Sequence, residues 1–565
     1  MKHNQINKIS ASIEKHYIIW CLLVTILFTT LDMIFMFLTN GKLFYIDTDP
    51  YTRALRLIDL LNDFQFYEKI FPYSNYPFGD ILHFTRINDF IWLALSSPFL
   101  LFLPIKEAVF YGGMLFSPLF LFLSSITIFW GLFPHIKKQP NFGISLFFAF
   151  IFTFIFLVKL TNMLSFSRPD HHSLLFFIYC FNISCLLHYK NDKRHKYLLF
   201  AGILSAIGLW ASSAIEGLFY ITPIIGILCF KWIFQRENIS YLLQYTSGLF
   251  IAIFISFLIN PPYEGYFHLD NSRLSLIHVT IFFLIFLSFF IIRKLNPISA
   301  KNKFIFLCIA TITSISILIL IFGYNTLIIP VYHENINKYF IPYISEMQPL
   351  HHHFYFYIIA GLIFCFYLYP KFKKDFKPIY ILFLINVIPT IMITRFSLYT
   401  LCPFLYLNIM FTIYIFGHEQ QKYKIISFIY IVGTVFYLLS FHSQYKIEEV
   451  PNLEGVTLTD IFDGPRIIYE QNVYVVGTPY HTNIQAITDN HLMFFTTNEP
   501  ELKTLLQKHN IEYIFLFKTI AKRYKSPTEN TDKLYGKIIT DTTIYPWLEK
   551  ISKPEDGFYL YKVIK

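Results

Sequence analysis

Long apolar blocks constrain this chain more than any other feature. Runs at 17–38, 108–133, 142–163, 173–187, 197–214, 217–234, 241–258, 274–292, 304–322, 354–369, 379–394, 398–416 and 425–441 are dominated by Phe, Ile, Leu and Tyr. Runs approaching or exceeding ~18 residues read as helices that cross a bilayer, because hydrocarbon offers backbone N–H and C=O groups no other partner. About thirteen spans follow, and with them a polytopic α-helical membrane protein. Composition agrees: 55% of the 565 residues are hydrophobic and only 15% charged, far from a soluble globular average.

All seven cysteines (Cys21, Cys180, Cys185, Cys229, Cys308, Cys365, Cys402) fall inside these runs. They show no metal-ligand or redox spacing and read as small apolar residues. The formal charge of +10 reads as an orientation signal, and no nucleic-acid partner is expected. The first run is too long for a cleavable signal and lacks a small-residue cleavage site, so it reads as the first span.

Lys2, Lys8 and Lys15 hold the N-terminus in the cytoplasm on this reading. The loops then expected inside carry Lys137–Lys138, Lys190–Lys196, Lys231–Arg236, Arg293–Lys303, Lys371–Lys377 and Lys422–Lys424, as the positive-inside bias requires. Residues 90–103 are apolar but short and contain Pro98, so they are expected to lie at the interface. Counting them as a span would turn every later basic loop outward. The transmembrane domain is thus 1–441, with large outer loops at about 39–107 and 324–352. Beyond it, 442–565 is expected to form a small outer α/β domain. NVYVVGTPY, IEYIFLFK and GFYLYKVIK read as strands, and NEPELKTLLQKHN as a helix capped by Asn498. The richness in Ile, Phe, Lys and Tyr and the short loops favour a bacterial inner membrane, with the C-terminal domain periplasmic.

Four outer loops carry unusual charge: DTDPY (47–51), SRPDHH (167–172), ISEMQP (344–349) and TRFSLY (394–399). Carboxylates and imidazoles from separate loops on one membrane face can converge on a divalent cation, Mg²⁺ or, with a mixed oxygen and nitrogen set, Mn²⁺. Such a cation neutralises the charge developing on a departing phosphate, and an arginine can share that work through paired contacts to phosphate oxygens. Each motif alone also has an ordinary reading. An Asp-x-Asp after a span caps a helix, histidines anchor at interfaces (His351–His353 among them), and an arginine snorkels. Glu216 reads equally as a site residue or a hydrogen-bonded buried acid. Their shared side of the membrane is what favours a site.

These segments resemble the catalytic subunit of oligosaccharyltransferase, a GT-C membrane glycosyltransferase. DTDPYTRALRLIDLL is similar to that family's E-F-D-P-Y loop with its following arginines, and YPFGDILHFT (76–85) to Y-P-L-G-R-x-x-G-G-T. SRPDHHSLLFF falls where the family carries D-N-E or D-x-D, SEMQP resembles S-E-H-Q-P, and RFSLYTLCP resembles R-L-M-L-V-L-A-P. Order and spacing agree over roughly 17–420. The resemblance implies that Asp49 binds metal and orients the acceptor nucleophile. It implies that Asp170 is a second ligand, and His172 a third where the family has an acid. Glu346 would hold acceptor or metal from the outer loop, and Arg395 would contact the donor phosphate. Asp47 stands where the family has Glu, so its role stays open; Arg168, His171, Glu216 and His481 are further candidates.

The implied reaction takes a glycan from a polyprenyl phosphate or pyrophosphate carrier and transfers it, with inversion, to an acceptor on the outer face. The family's W-W-D block, which reads the asparagine sequon, is missing: none of the six tryptophans forms such a pair. The acceptor is therefore left open among lipid, glycan and protein. In VVGTPYHTN (475–483), His481 reads as an acceptor contact or as part of a turn. Two other classes compete. A lipid-linked glycan flippase would place its ionisable residues at mid-membrane rather than in outer loops. A non-catalytic scaffold would have no need of Asp49 and Asp170.

Overall fold

A computed structural model describes residues 2–64, 66–67, 70–136, 146, 148–149, 151, 164–192, 196–212, 214–235, 237–296, 299–324, 333–344, 347–350, 352–417, 420–421, 423, 425–427, 430, 447–519, 532–540 and 545–564. The helices in order are α1 (Lys2–Asn40), α2 (Thr48–Asp63), α3 (Arg86–Ser96), α4 (Ile105–Ile136), α5 (His171–Asp192), α6 (Lys196–Ser212), α7 (Ala214–Phe234) and α8 (Ser240–Ile259). Then come α9 (Leu276–Leu295), α10 (Ala300–Phe322), α11 (Glu334–Tyr339), α12 (His352–Met392) and α13 (Ser397–Gly417). The C-terminal part holds α14 (Gly464–Gln471), α15 (Ile484–Phe495), α16 (Glu499–Lys508) and α17 (Leu534–Thr540).

Among the described residues, eight helices are long and apolar enough to cross a membrane, and three apolar helices are shorter. The chain is a multi-pass membrane protein. The expected spans at 142–163 and 425–441 lie largely outside the described residues. α12 runs through the spans expected at 354–369 and 379–394, with a non-helical backbone at Phe372 between them. α13 forms the centre of the bundle, its apolar window 94% buried, whereas that of α10 is 0% buried and faces outward. A helix so apolar with no residue of that window buried in the protein suits a lipid surround.

The stretch expected at the interface forms α3, of 11 residues, followed by a short 3₁₀ turn at Phe99–Leu101. At 1.5 Å per residue α3 reaches about half the hydrocarbon thickness. It lies tightly on α4, because Gly112 and Gly113 leave room for it. A Cβ at Gly112 would stand 2.1 Å from Ser96 Oγ, and one at Gly113 2.4 Å from the Trp92 ring.

Five strands follow: β1 (Val456–Leu458), β2 (Tyr474–Val475), β3 (Tyr513–Phe517), β4 (Leu548–Lys550) and β5 (Phe558–Val563). They form one mixed sheet in the order β2-β1-β3-β5-β4. β1 runs parallel to β2 and β3, and β5 antiparallel to β3 and β4. Elements appear at all four segments read from the sequence, and the Asn498 side chain caps α16 by accepting from Glu501 N–H. The sheet does not stand apart from the membrane part. Val475 N–H donates to Tyr73 O at 2.8 Å, and Asn75 N–H to Val476 O at 3.1 Å. The loop before α3 thereby covers the β2 edge. Tyr480 Oη donates to Thr52 Oγ1 at 2.6 Å, and Tyr469 of α14 packs on Tyr51 of α2.

Candidate active site

The site is built at the N-terminal ends of α2 and α5. Asp47 has extended backbone and caps α2 by accepting from Thr48 N–H at 2.8 Å, the usual means of satisfying a free helix N–H. Asp49 lies in the first turn, where the helix dipole favours a carboxylate. Asp170 precedes α5 and accepts from His171 N–H at 2.6 Å. The two loops are tied together. Ile46 N–H donates to Ser167 O at 3.1 Å, and Arg168 bridges to Asp47 at 2.6 Å. Ser117 of α4 holds the second loop by donating to Arg168 O.

Around Asp170 the two imidazoles close in. His171 Nδ1 lies 2.5 Å from Asp170 Oδ1, and His172 Nε2 lies 3.6 Å from Oδ2. Ligand atoms of Asp170, His171 and His172 all fall within 4.8 Å of one another. The electrostatics tie Asp49 to this group. Burial, followed by the negative charges of Asp170 and Asp47, pushes the Asp49 carboxyl up to about 7, against the pull of Arg53 and His171. Burial also opposes ionisation of Asp170, but His171, His172 and Arg53 outweigh it and hold that carboxyl well below its usual range. Two carboxylates that repel one another, beside imidazole nitrogens, suit a divalent cation, which would relieve the repulsion felt by Asp49. On donor chemistry the Asp170–His171–His172 group fits such an ion, with Asp49 coupled to it electrostatically.

Sequence reasoning noted Arg53 but gave it no role. Its guanidinium is buried, with Nη2 3.9 Å from Asp170 and 3.4 Å from His171 Nδ1. It lies 4.0 Å over the Phe84 ring, and its Nε and Nη1 have no hydrogen-bond partner among the described residues. His83 was also missed. Its ring stands 4.6 Å from that of His481, and burial, aided by the neighbouring His481, Arg53 and His171, pushes its imidazole well below the usual range. The signal was the family-like YPFGDILHFT segment, which carries His83 but reveals nothing of its neighbour 398 residues on.

The C-terminal domain reaches the same place through His481. Burial, then the nearby charge of Arg395, pushes its imidazole down to about 4, with Asp270 opposing. Arg395 sits in the 3₁₀ turn Thr394–Phe396. That turn is fastened to the expected acceptor loop, since Thr394 N–H donates to Gln348 O at 3.0 Å and Thr394 Oγ1 to Pro349 O at 3.1 Å. Asp47, Asp49, Arg168, Asp170, His171 and His172 thus share one cluster, with His481 and Arg395 in electrostatic contact beside it. Glu346 and His351 lie outside the described residues, as do the side chains of Glu216, His352 and His353.

No family model matches this chain, and no curated protein matches its sequence. Solved structures do match. Oligosaccharyltransferase AglB from Archaeoglobus fulgidus, in complex with an inhibitory peptide and a dolichol-phosphate, superposes with a TM-score of 0.61 at 12% identity, over 97% of this chain and 74% of that one. The same archaeal enzyme tethered to an acceptor peptide containing an NVT sequon gives a TM-score of 0.60 at 14% identity, over 97% and 74%. Its complex with Zn and sulfate gives 0.57 at 14%, over 96% and 72%. The chain resembles an oligosaccharyltransferase and shares that fold over 97% of its length.

Proposed function

We propose that this protein is an inverting, metal-assisted membrane glycosyltransferase that moves a sugar or oligosaccharide from a polyprenyl phosphate or pyrophosphate carrier to an acceptor. The observation that carries the reading is the Asp170–His171–His172 group, with Asp49 in electrostatic contact with it, at the helix ends of an oligosaccharyltransferase-like fold. The archaeal enzyme of that fold has been seen with a dolichol-phosphate, an acceptor peptide and, separately, with Zn and sulfate. Mn²⁺ or Mg²⁺ is the cation we assign here. The reading includes about thirteen spans, a cytoplasmic N-terminus, a C-terminal domain from 442 to 565 in the periplasm, and a bacterial inner membrane.

In this mechanism Asp49, Asp170 and His172 would hold the cation, which would supply positive charge to offset the negative charge developing on the leaving phosphate. Arg53 keeps Asp170 ionised and in place. Arg395 contacts the donor phosphate oxygens, with His481, held neutral beside it, leaving that positive charge available. Asp49 orients the acceptor and accepts its proton as the acceptor heteroatom bonds to the anomeric carbon. The bond from that carbon to the phosphate oxygen breaks on the opposite face, and the carrier leaves with the electron pair. Positioned charge supplies most of the rate. Glu346 would help hold the acceptor or the cation.

The test is release of polyprenyl phosphate or pyrophosphate from a carrier-linked glycan extract by purified protein, with Mn²⁺ or Mg²⁺ and with chelator. The expected result, given acceptor-containing envelope lysate, is metal-dependent release that Asp49→Ala and Asp170→Ala each abolish. Release that ignores the chelator and both substitutions would sink the reading.

A further inference from the structure

A second charged site lies beside the first and plays no part in the proposed reaction. A cavity of about 430 Å³ is lined by Arg56, Arg86, Arg273, Asn260, Tyr67 and Glu264, with neighbours from the 261–265 loop. The three arginines come from separate parts of the chain and are almost fully buried, at 1%, 3% and 8% exposure. Arg56 and Arg86 share one oxygen of Asp89 behind the cavity wall, at 3.2 and 3.0 Å. Arg273 donates to Phe84 O at 2.5 Å, and Arg56 to the same carbonyl at 3.5 Å. The lining itself carries one carboxylate, Glu264, and that group is well exposed and turned to His268 at 2.7 Å.

Three guanidiniums around one small space concentrate positive potential there, because low-dielectric walls focus the field. Planar guanidinium donors match the oxygens of a phosphate, each able to give two N–H groups. The position narrows the ligand further. The cavity is lined by Asn260 at the C-terminal end of α8, whose Ile251, Phe254, Ile255 and Leu258 are exposed and apolar, as lipid-facing side chains are. Phe267 (88% exposed), Tyr266 and Tyr67 stand nearby, as aromatic residues do at headgroup depth. Phe84 separates this cavity from the metal cluster: Arg53 lies 4.0 Å over its ring and Arg56 5.6 Å.

We propose that the Arg56–Arg86–Arg273 cavity binds the phosphate of a lipid in the adjoining leaflet, as a site distinct from the metal centre. Two lipids offer that chemistry, a bilayer phospholipid and a polyprenyl phosphate. The test is lipid retention by the purified full-length protein in native mass spectrometry, using phosphatidylglycerol, polyprenyl phosphate and zwitterionic phosphatidylcholine as probes. An anionic lipid should be retained over phosphatidylcholine, and Arg273→Gln should weaken that binding about tenfold, as loss of a charge-assisted hydrogen bond does. Glu264→Lys, at an exposed rim, should strengthen it. A response confined to phosphatidylglycerol identifies a bilayer headgroup, and one confined to polyprenyl phosphate identifies the carrier; either supports the site. Unchanged retention of both anionic lipids in a folded Arg273→Gln protein would overturn it. If Arg273→Gln fails to fold, unchanged retention in Glu264→Lys overturns it alone. The readout is binding without turnover, so it stands or falls independently of the transferase reading.

Discussion

Asp170 is the residue on which the site turns. Both its oxygens face an imidazole, and its N-terminal position on α5 places it where negative charge is favoured. Asp170→Asn keeps the shape but removes that charge. Affinity for Mn²⁺, followed by calorimetry or electron paramagnetic resonance, should fall by about 100-fold or more. Asp80 offers a pH test away from the metal. Burial raises its carboxyl from 3.8 to about 8, although hydrogen bonds from Asn483, Ile81 and Thr478 favour the charged form. A raised carboxyl stabilises the fold while it stays protonated. That contribution is full below pH ~4 and is lost as pH rises toward ~8, at roughly 1.4 kcal/mol per pH unit. Asp80→Asn should therefore flatten the fall of melting temperature over this window, and an unchanged slope would refute the assignment.

At the scale of elements, α2 is held from two sides, by the α5 loop through Arg168 and by the C-terminal domain through Tyr480. Tyr480→Phe removes one hydrogen bond and should cost about 1 kcal/mol, seen as a lower melting temperature and a measurable loss of metal affinity. An effect on neither would mean that the domain only rests on α2. Much of this level was legible in the sequence. The apolar runs, the Asn498 cap and the strands of the last segment carry local signals of period and capping, and the Asp49, Asp170 and Arg395 motifs sit in short recognisable strings. The cavity arginines were not legible. Arg273 meets Phe84 across 189 positions, and neither residue carries a local sign of the other. The pairing of Tyr73 with Val475 was hidden for the same reason: backbone hydrogen bonds have no residue code.

For the whole molecule, the proposed orientation is checked by labelling cysteines introduced into a cysteine-free background. Exposed Glu454→Cys should react with a membrane-impermeant maleimide in spheroplasts. Lys196→Cys and Lys301→Cys should react only after permeabilisation, and the reverse pattern would invert the topology. The covered edge of β2 has a further consequence for how the chain is made. Its partner, the segment around Tyr73, is synthesised some 400 residues earlier and has left the ribosome long before β2 emerges. The later-made sheet therefore completes itself on a segment made long before it. A fragment begun at 447 and expressed alone would carry a bare strand edge with unpaired N–H and C=O groups, an invitation to stick to its own copies.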